Sequence, residues 1–594
     1  MATNTHDASL ATQPLITESN KSKPRKPLRL WPGIVLAVLI VLLRFIVPVV
    51  APNAMIGEMP LPMIGVFGGM LAALAVVLWW LLFSRARWFE RLGAVVLMVL
   101  VVLINYRLVH PSIAGGAMGA LLPIMAVPIM AVAFVAWAVA SRRLNTGTRL
   151  LSMAVVLFLA CGVFTLIRTG GFTGGLKNDF HWRWTKTPEE QLLALGEEPT
   201  VTPPATATRS GFEWPGFRGS HRDGIVHGVR LETDWTKSPP KEMWRRPVGP
   251  GWSSFAVRGD LIYTQEQRGN DEIVSCYNLN DGKAVWRHKD STRFYESNGG
   301  AGPRGTPTLY NDRVYSFGAT GILNALDAAT GNAIWSRNAS ADTKTKTPGW
   351  GFASSPLVIG DIVIVATAGT LAAYDINSGQ PRWFGPNGGG GYSSPHPVTI
   401  NGVTQVVMLG DPGAIGVNPG DGKVLWQYEL PSSTRIIQPA VTEEGDLLLS
   451  VGDGNDVHRV AVVNGSGGWK AEERWASSGI NPFFNDFVVH KGHAFGFVGS
   501  EIACMDLKDG SRKWNDGNYG HGQLILLPEQ DVLLVLTESG DIALVKAATD
   551  RLTELARVPA IKSKTWNHPV LVGDVLLVRN GEEMAAFKLA LARS

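Results

Sequence analysis

The chain has 594 residues, 54 Lys+Arg against 50 Asp+Glu, and only three cysteines. Such a length exceeds what one hydrophobic core organises, so at least two domains are expected. Charge divides them: residues 1–170 carry 14 basic and 4 acidic side chains, the remainder 40 and 46. The acidic balance of the larger part argues against a nucleic-acid partner, which needs a clustered positive field.

Residues 1–28 are polar, basic and proline-containing and predict a disordered cytoplasmic tail. Five apolar runs follow, at about 31–51, 61–83, 92–109, 117–140 and 150–168, each close to the ~20 residues that cross a bilayer as a helix. They define a transmembrane domain over 29–169 whose surroundings are lipid bilayer. Lys21, Lys23, Arg25, Lys26 and Arg29 precede the first run, Arg85, Arg87 and Arg91 follow the second, and Arg142, Arg143 and Arg149 follow the fourth. The other two links carry no Lys or Arg. The positive-inside rule then puts the N-terminus in the cytoplasm and everything past residue 170 outside, in the periplasm of a bacterial-type inner membrane.

Arg44, inside the first run, is read as snorkelling to the interface or facing a neighbouring helix. Tyr106, Arg107 and His110 read as interfacial anchors, and Pro123 with Pro128 as a kink in the fourth span. Glu58 and Glu90 are placed in links, leaving the spans without a carboxylate and arguing against a proton-driven transporter.

A linker is expected over 170–212. Its glycine-rich then aromatic part, 170–185, is assigned to the outer membrane surface. Thr187-Pro188-Glu189-Glu190 predicts a short helix start, and 196–212 a tether ending at Trp214-Pro215-Gly216-Phe217-Arg218-Gly219. The soluble domain occupies 213–594.

Within it one pattern recurs: a β-rich run, a turn containing Gly, then Trp. The tryptophans are Trp286, Trp335, Trp383, Trp426, Trp475 and Trp514, with Leu555 in the seventh slot. Preceding turns include Asp281-Gly282, Thr330-Gly331, Ser378-Gly379, Asp421-Gly422 and Asp509-Gly510. The interval of roughly 39 to 49 residues is the period of a four-stranded propeller blade. One blade reads in full: strands at Ser354–Val358, Asp361–Thr367, Leu371–Asp375 and Pro381–Phe384. The end of the chain supplies three strands and stops. An early strand, Glu242–Arg245, is therefore predicted to complete the last blade and close the ring. The fold class is an α-helical membrane domain plus an all-β propeller of eight blades, with seven as the alternative. Cys276 and Cys504 occupy one equivalent slot in two repeats and read as small buried strand residues. The turn aspartates read as turn chemistry and the glycine runs (388–391; Gly410, Gly413, Gly416) as tight turns, not phosphate loops.

The stretches Leu279-Asn280-Asp281-Gly282-Lys283-Ala284-Val285-Trp286 and Leu326–Trp335 resemble the tryptophan-docking repeat of the pyrroloquinoline-quinone (PQQ) propeller superfamily. The resemblance covers about 244–589 and implies two alternatives. One is the quinoprotein dehydrogenases, which use PQQ and calcium; the membrane-bound glucose enzymes share the plan of five spans and an external propeller, and pass electrons to membrane quinone. Arg304-Gly305 sits where such dehydrogenases place an Arg whose fork suits a cofactor carboxylate. The calcium-ligand Glu of that group has no counterpart in Thr367–Thr370, and Asn485-Asp486 is the nearest match to its Asp-rich stretch. The other alternative is the non-catalytic group that includes the propeller lipoproteins of the outer-membrane β-barrel assembly machinery, similar in compact size and bare repeats, which bind partners through loops and strand edges.

Propeller sites lie at the axial channel, and the segments entering each first strand supply the candidates: Trp252, Arg304, Trp350, Tyr392, Arg435, Gln438, Asn485, His521, Trp566 and Asn567, with Ser253, Tyr519 and Lys564 beside them. Converging aromatic and polar groups suit a ligand pocket, and equally suit side chains that close the channel and cap loops. No catalytic or metal residue is assigned, and His521 lacks a sequence-local acid. The resulting expectation is an extracytoplasmic propeller that binds or scaffolds envelope proteins without a cofactor. A PQQ- and calcium-dependent dehydrogenase feeding quinone stands as the alternative, and a sensor signalling through the helices behind it.

Overall fold

The computed structural model describes residues 28–51, 54–56, 59–196, 213–452 and 454–592. All of the expected tail except Leu28 lies outside them, as do Glu58 and almost all of the expected tether. The chain divides into two compact units, one of residues 1–109 with 120–166, the other of 110–119 with 167–594.

Among the described residues the first unit contains five helices long and apolar enough to cross a membrane: Trp31–Val50, Leu61–Leu82, Trp88–Leu108, Leu121–Arg143 and Thr146–Leu166. Within this bundle Trp80 packs edge-on against Phe134, with ring centroids 4.8 Å apart, and Phe134 stacks on Trp137. Gly65 and Gly69 of the second helix let the first approach closely, since a Cβ on Gly65 would lie 2.3 Å from the Leu43 carbonyl. Arg44 sits in a π-helical turn, Leu42–Ile46, its aliphatic stem along Gly69. Glu90 departs from expectation. The third helix starts at Trp88, so Glu90 falls in its first turn, buried and 3.4 Å from Arg149. A carboxylate near a helix N-terminus is favoured by the helix dipole, and the apolar run alone did not reveal the extra turn.

Among the described residues the second unit is a β-propeller of eight antiparallel sheets, seven of four strands and one, the first, to which Glu213–Trp214 adds a fifth. Blade 1 spans Ala256–Asp290, blade 2 Thr308–Asn338, blade 3 Leu357–Phe384, blade 4 His396–Glu429, blade 5 Ala440–Ser477, blade 6 Val488–Asp516 and blade 7 Gln523–Pro559. Blade 8 takes three strands from Val570–Lys588 and its outermost from Lys241–Pro247, Trp244 pairing with Ala586. The ring is thus closed by pairing the two ends of the domain, and the seven-blade alternative is set aside. Inner strands such as Ile362–Thr367 are buried along their whole length, as a strand between two neighbouring sheets must be.

The tryptophans seal the seams between blades. Trp244, Trp286, Trp335, Trp475 and Trp514 each donate their indole N–H to a carbonyl of the following blade, of Leu279, Ala328, Ile376, Leu507 and Ala548, at 2.8–3.0 Å. Trp383 does the same to Pro419. The turn glycine of the next blade lies under each ring in five cases: Gly282 under Trp244, Gly331 under Trp286, Gly379 under Trp335, Gly422 under Trp383 and Gly510 under Trp475. Directly opposite the Trp on the paired strand stands a small residue: Cys276, Ala325, Ala373 or Cys504. The two cysteines fill the volume slot that alanine fills elsewhere, and both are buried and free.

Two seams differ. Trp426 turns its N–H to Gln405 of its own blade, because blade 5 replaces the Asp-Gly turn with a long hairpin, Val457–Ser477. Tyr428, His458 and Glu473 join across that seam instead. At the seam from blade 7 to blade 8 Leu555 is exposed, and the inner strands of both blades share one continuous apolar core.

The expected surface segment 170–185 contains an antiparallel hairpin, Ile167–Phe172 with Asn178–Trp182. The short helix Pro188–Ala194 follows, opened by a capping box between Thr187 and Glu190. His110–Gly119, the link between the third and fourth helices, also belongs to this unit.

Candidate functional site

The axis of the propeller is closed by the chain itself, at two levels. The deeper level is built by the segment that opens the domain, from Trp214 to Val226. The Pro215 carbonyl accepts from Leu309 of blade 2, Arg222 donates to the carbonyls of Ser355 and Pro356 ahead of blade 3, Arg218 to that of Phe487 ahead of blade 6, and Val226 to that of Leu526 in blade 7. The segment therefore crosses from one side of the ring to the other. Arg218 and Arg222 adopt left-handed backbone conformations (φ of 59° each), alternating with left-handed Gly219 and Gly224, which lets so short a stretch turn twice.

Asp486 is the acidic centre of this level. Its carboxylate is 3.5 Å from Arg218 and 3.3 Å from His568, and accepts from the Gln438 N–H at 2.9 Å. Burial raises its pKa, but Arg218, His568 and the Gln438 N–H outweigh that and hold the carboxyl below its usual range. The Gln438 amide spans the Ser394 backbone, donating to its carbonyl and accepting from its N–H. Asn485 caps the Phe483 N–H, and Asn567 donates to the Ser253 carbonyl at 2.7 Å. These three candidates are buried and pin the loops that enter the first strands.

The upper level is an aromatic cluster at the channel mouth. Trp252 and Trp566 lie 4.7 Å apart, Phe484 is 4.8 Å from Trp566, and His521 stacks on Phe484 at 5.6 Å. The Lys564 ammonium lies over both indoles, 4.4 Å from Trp566 and 5.3 Å from Trp252, and donates to the Asn298 carbonyl. Burial drives its pKa down to about 8 against the pull of Glu296 and Glu538. Glu538 accepts from the Trp566 indole at 2.7 Å and from the backbone N–H of Gly174 and His521. It is also the acid that His521 lacked in the local sequence, at 3.9 Å, although burial keeps the imidazole pKa below its ordinary value.

The hairpin of Ile167–Phe172 and Asn178–Trp182 closes this mouth. Phe172 donates its N–H to the Asn298 carbonyl, and a Cβ on Gly174 would lie 2.2 Å from the His521 ring. The Asn298 side chain accepts from Ala117 of the 110–119 link. Beside it, Glu189 accepts from Gly269 and pairs with Arg293 at 2.7 Å.

Arg304 is not free to clamp a ligand. Its guanidinium pairs with Glu296 at 3.3 Å and donates to the carbonyls of Gly300, Ala301 and Trp350. Trp350 is linked to it only through that carbonyl, and its ring is exposed. Tyr392 donates its N–H to the Arg435 carbonyl, and Arg435 is buried with its own guanidinium on the carbonyls of Pro431 and Val451. Tyr519 turns away from the axis to Glu554. The structure therefore gathers Trp252, His521, Lys564 and Trp566 and leaves the other candidates as separate braces. Among the described residues no group of three or more His, Cys, Asp or Glu is placed to hold a metal ion. A hard cation such as calcium wants six or more oxygens, and a quinone carboxylate wants an unspent Arg fork, so these residues do not fit that cofactor pair. Sequence reasoning missed Glu538, Glu296, Phe484 and the axial Arg218, Arg222, His396 and His568. The paired arginines between glycines were the one available signal.

A family profile described as "Outer membrane protein assembly factor BamB" matches residues 232–390, 270–516 and 415–592. The chain belongs to this family. It is 22% identical to the BamB of Yersinia pestis over 351 residues, covering 56% of this chain and 76% of the relative. With the BamB of Shewanella oneidensis it is 22% identical over 376 residues, covering 57% and 86%. Among solved structures, the quinohemoprotein alcohol dehydrogenase of Comamonas testosteroni superposes with a TM-score of 0.48 and 13% identity, covering 69% of this chain and 85% of that one. The family match lies wholly within the propeller unit and excludes the five apolar helices. Outside the axis, the outer strands of blades 4 and 5 border an open groove of about 440 Å³, lined by Val424–Gln427 and Trp469–Glu472.

Proposed function

We propose that this chain is a multi-pass inner-membrane protein that displays its propeller in the periplasm as a binding or scaffolding module for envelope proteins. One observation carries the reading: the axial channel, where propellers hold small ligands, is filled by the chain's own Arg218–Arg222 segment and capped by its own hairpin. What remains for recognition is the loops and the outer strand edges, which bind extended partners through main-chain hydrogen bonds. Membership of a family named for outer-membrane protein assembly supports envelope partners. The distribution of basic residues about the five apolar helices supports a cytoplasmic N-terminus and an external propeller. The engagement of Arg304 by Glu296 weighs against the quinoprotein alternative.

The test is photo-crosslinking in intact cells, with the crosslinker placed at exposed positions of the outer strands such as Val424 and Lys470. Envelope proteins recovered from these positions, and not from a cytoplasmic-tail position, support the reading. Protease digestion of the propeller only after the cytoplasmic side is opened, or PQQ-dependent dye reduction by the purified chain, would overturn it.

A further inference from the structure

We infer that the propeller axis binds a small monovalent anion, of the charge and size of chloride, between Arg218 and Arg222 of the crossing segment and His396 of blade 4. The inference is independent of the partner-binding reading. Arg218 and Arg222 are 3% and 5% exposed, and His396 is 4% exposed. Charge does not balance there. Arg218 is balanced by Asp486, which His568 meets as a ring whose pKa burial lowers, but Arg222 has no ion pair among the described residues and leaves one positive charge over. Its guanidinium meets two backbone carbonyls and the Phe217 ring, and the charge of Arg218, also positive, acts on it. An arginine stays protonated even when burial lowers its pKa.

Nitrogen atoms are also left over. Arg218 Nε, Arg222 Nε, His396 Nδ1 and Asn485 Nδ2 are all buried without a hydrogen-bond partner. Buried polar groups in native proteins are paired, and an uncompensated buried charge is among the most costly defects a fold can carry. Water satisfies donors but supplies no negative charge. A single monoanion does both, accepting several N–H groups and cancelling the surplus. The burial of every contributing side chain restricts the ligand to a small ion rather than the carboxylate or phosphate of a larger molecule. Bound there, the anion fixes the crossing segment against blades 3, 4 and 6.

The experiment is crystallisation of the full-length detergent-solubilised chain in sodium bromide, with anomalous diffraction measured at the bromine edge. In parallel, thermal unfolding is followed as gluconate is exchanged for chloride at constant ionic strength. A bromide peak against the two guanidinium groups is expected, with a saturable chloride-dependent rise of about 2–4 °C in Tm. The rise should vanish in Arg222→Met and persist in Arg382→Met, a substitution on the outer strand of blade 3. Anomalous maps without a peak at the axis overturn the proposal, as does a Tm that is the same in chloride and gluconate. If Arg222→Met does not fold, the wild-type diffraction experiment decides alone.

Discussion

Gly282 lies beneath the indole of Trp244, where a Cβ would come within 2.7 Å of the ring, at a φ of 67°. These two residues join the strand contributed from the start of the domain to the first blade, so they lock the closure of the ring. Gly282→Ala should cost about 2–3 kcal/mol through backbone strain and the displaced indole. Trp244→Ala should cost about 3–5 kcal/mol. Denaturant unfolding followed by tryptophan fluorescence measures both, and the double variant should be far from additive because the residues touch.

Glu272 is buried, and burial raises its pKa to about 7 against the hydrogen bond from the Ala319 N–H. The folded state therefore holds a proton that the unfolded chain releases near pH 4.5. The stabilising contribution is complete below that pH and is lost as pH rises through about 7. Wild type should lose stability across this window relative to Glu272→Gln, and the difference between the two unfolding curves reports it.

Lys564 behaves in the opposite sense. Its folded pKa of about 8 lies below the ordinary 10.5, so its contribution to stability is fully present only above 10.5 and is lost as pH falls through 8. Stability of the wild type should climb between pH 8 and 10.5 relative to Lys564→Met. Equal slopes for the two proteins would show the ammonium to be solvated instead of sandwiched between Trp252 and Trp566.

Gly174→Val should lift the hairpin, since its added atoms collide with the His521 ring. Limited trypsin digestion is expected to cut at Lys177 at least tenfold faster than in wild type while the blades stay protected. Unchanged cleavage would mean that the hairpin does not rest on the mouth.

Most of the fold was legible because a blade is a local object. The predicted strands Asp361–Thr367 and Pro381–Phe384 correspond to Ile362–Thr367 and Pro381–Phe384, and the closing strand at Glu242–Arg245 lies within Lys241–Pro247. Turn chemistry, a small residue and a Trp at fixed offsets leave a periodic trace. The seam at Trp426 was not legible, since the indole found a partner in its own blade. The axial site was still less so. Arg218 reaches the Phe487 carbonyl and Arg222 that of Ser355, contacts spanning a third of the domain or more, and no local pattern encodes them. His521 looked solitary for the same reason, its acid arriving on a loop of the next strand pair.

The pairing of Trp244 with Ala586 sets a timetable as well as a shape. A ribosome emits the second partner only after the seven other sheets that lie between the two in sequence, so the outermost strand of blade 8 must wait, unpaired, while they emerge. Termination before Val570 should therefore yield an open, edge-exposed disc prone to joining its neighbours, instead of a slightly smaller closed one.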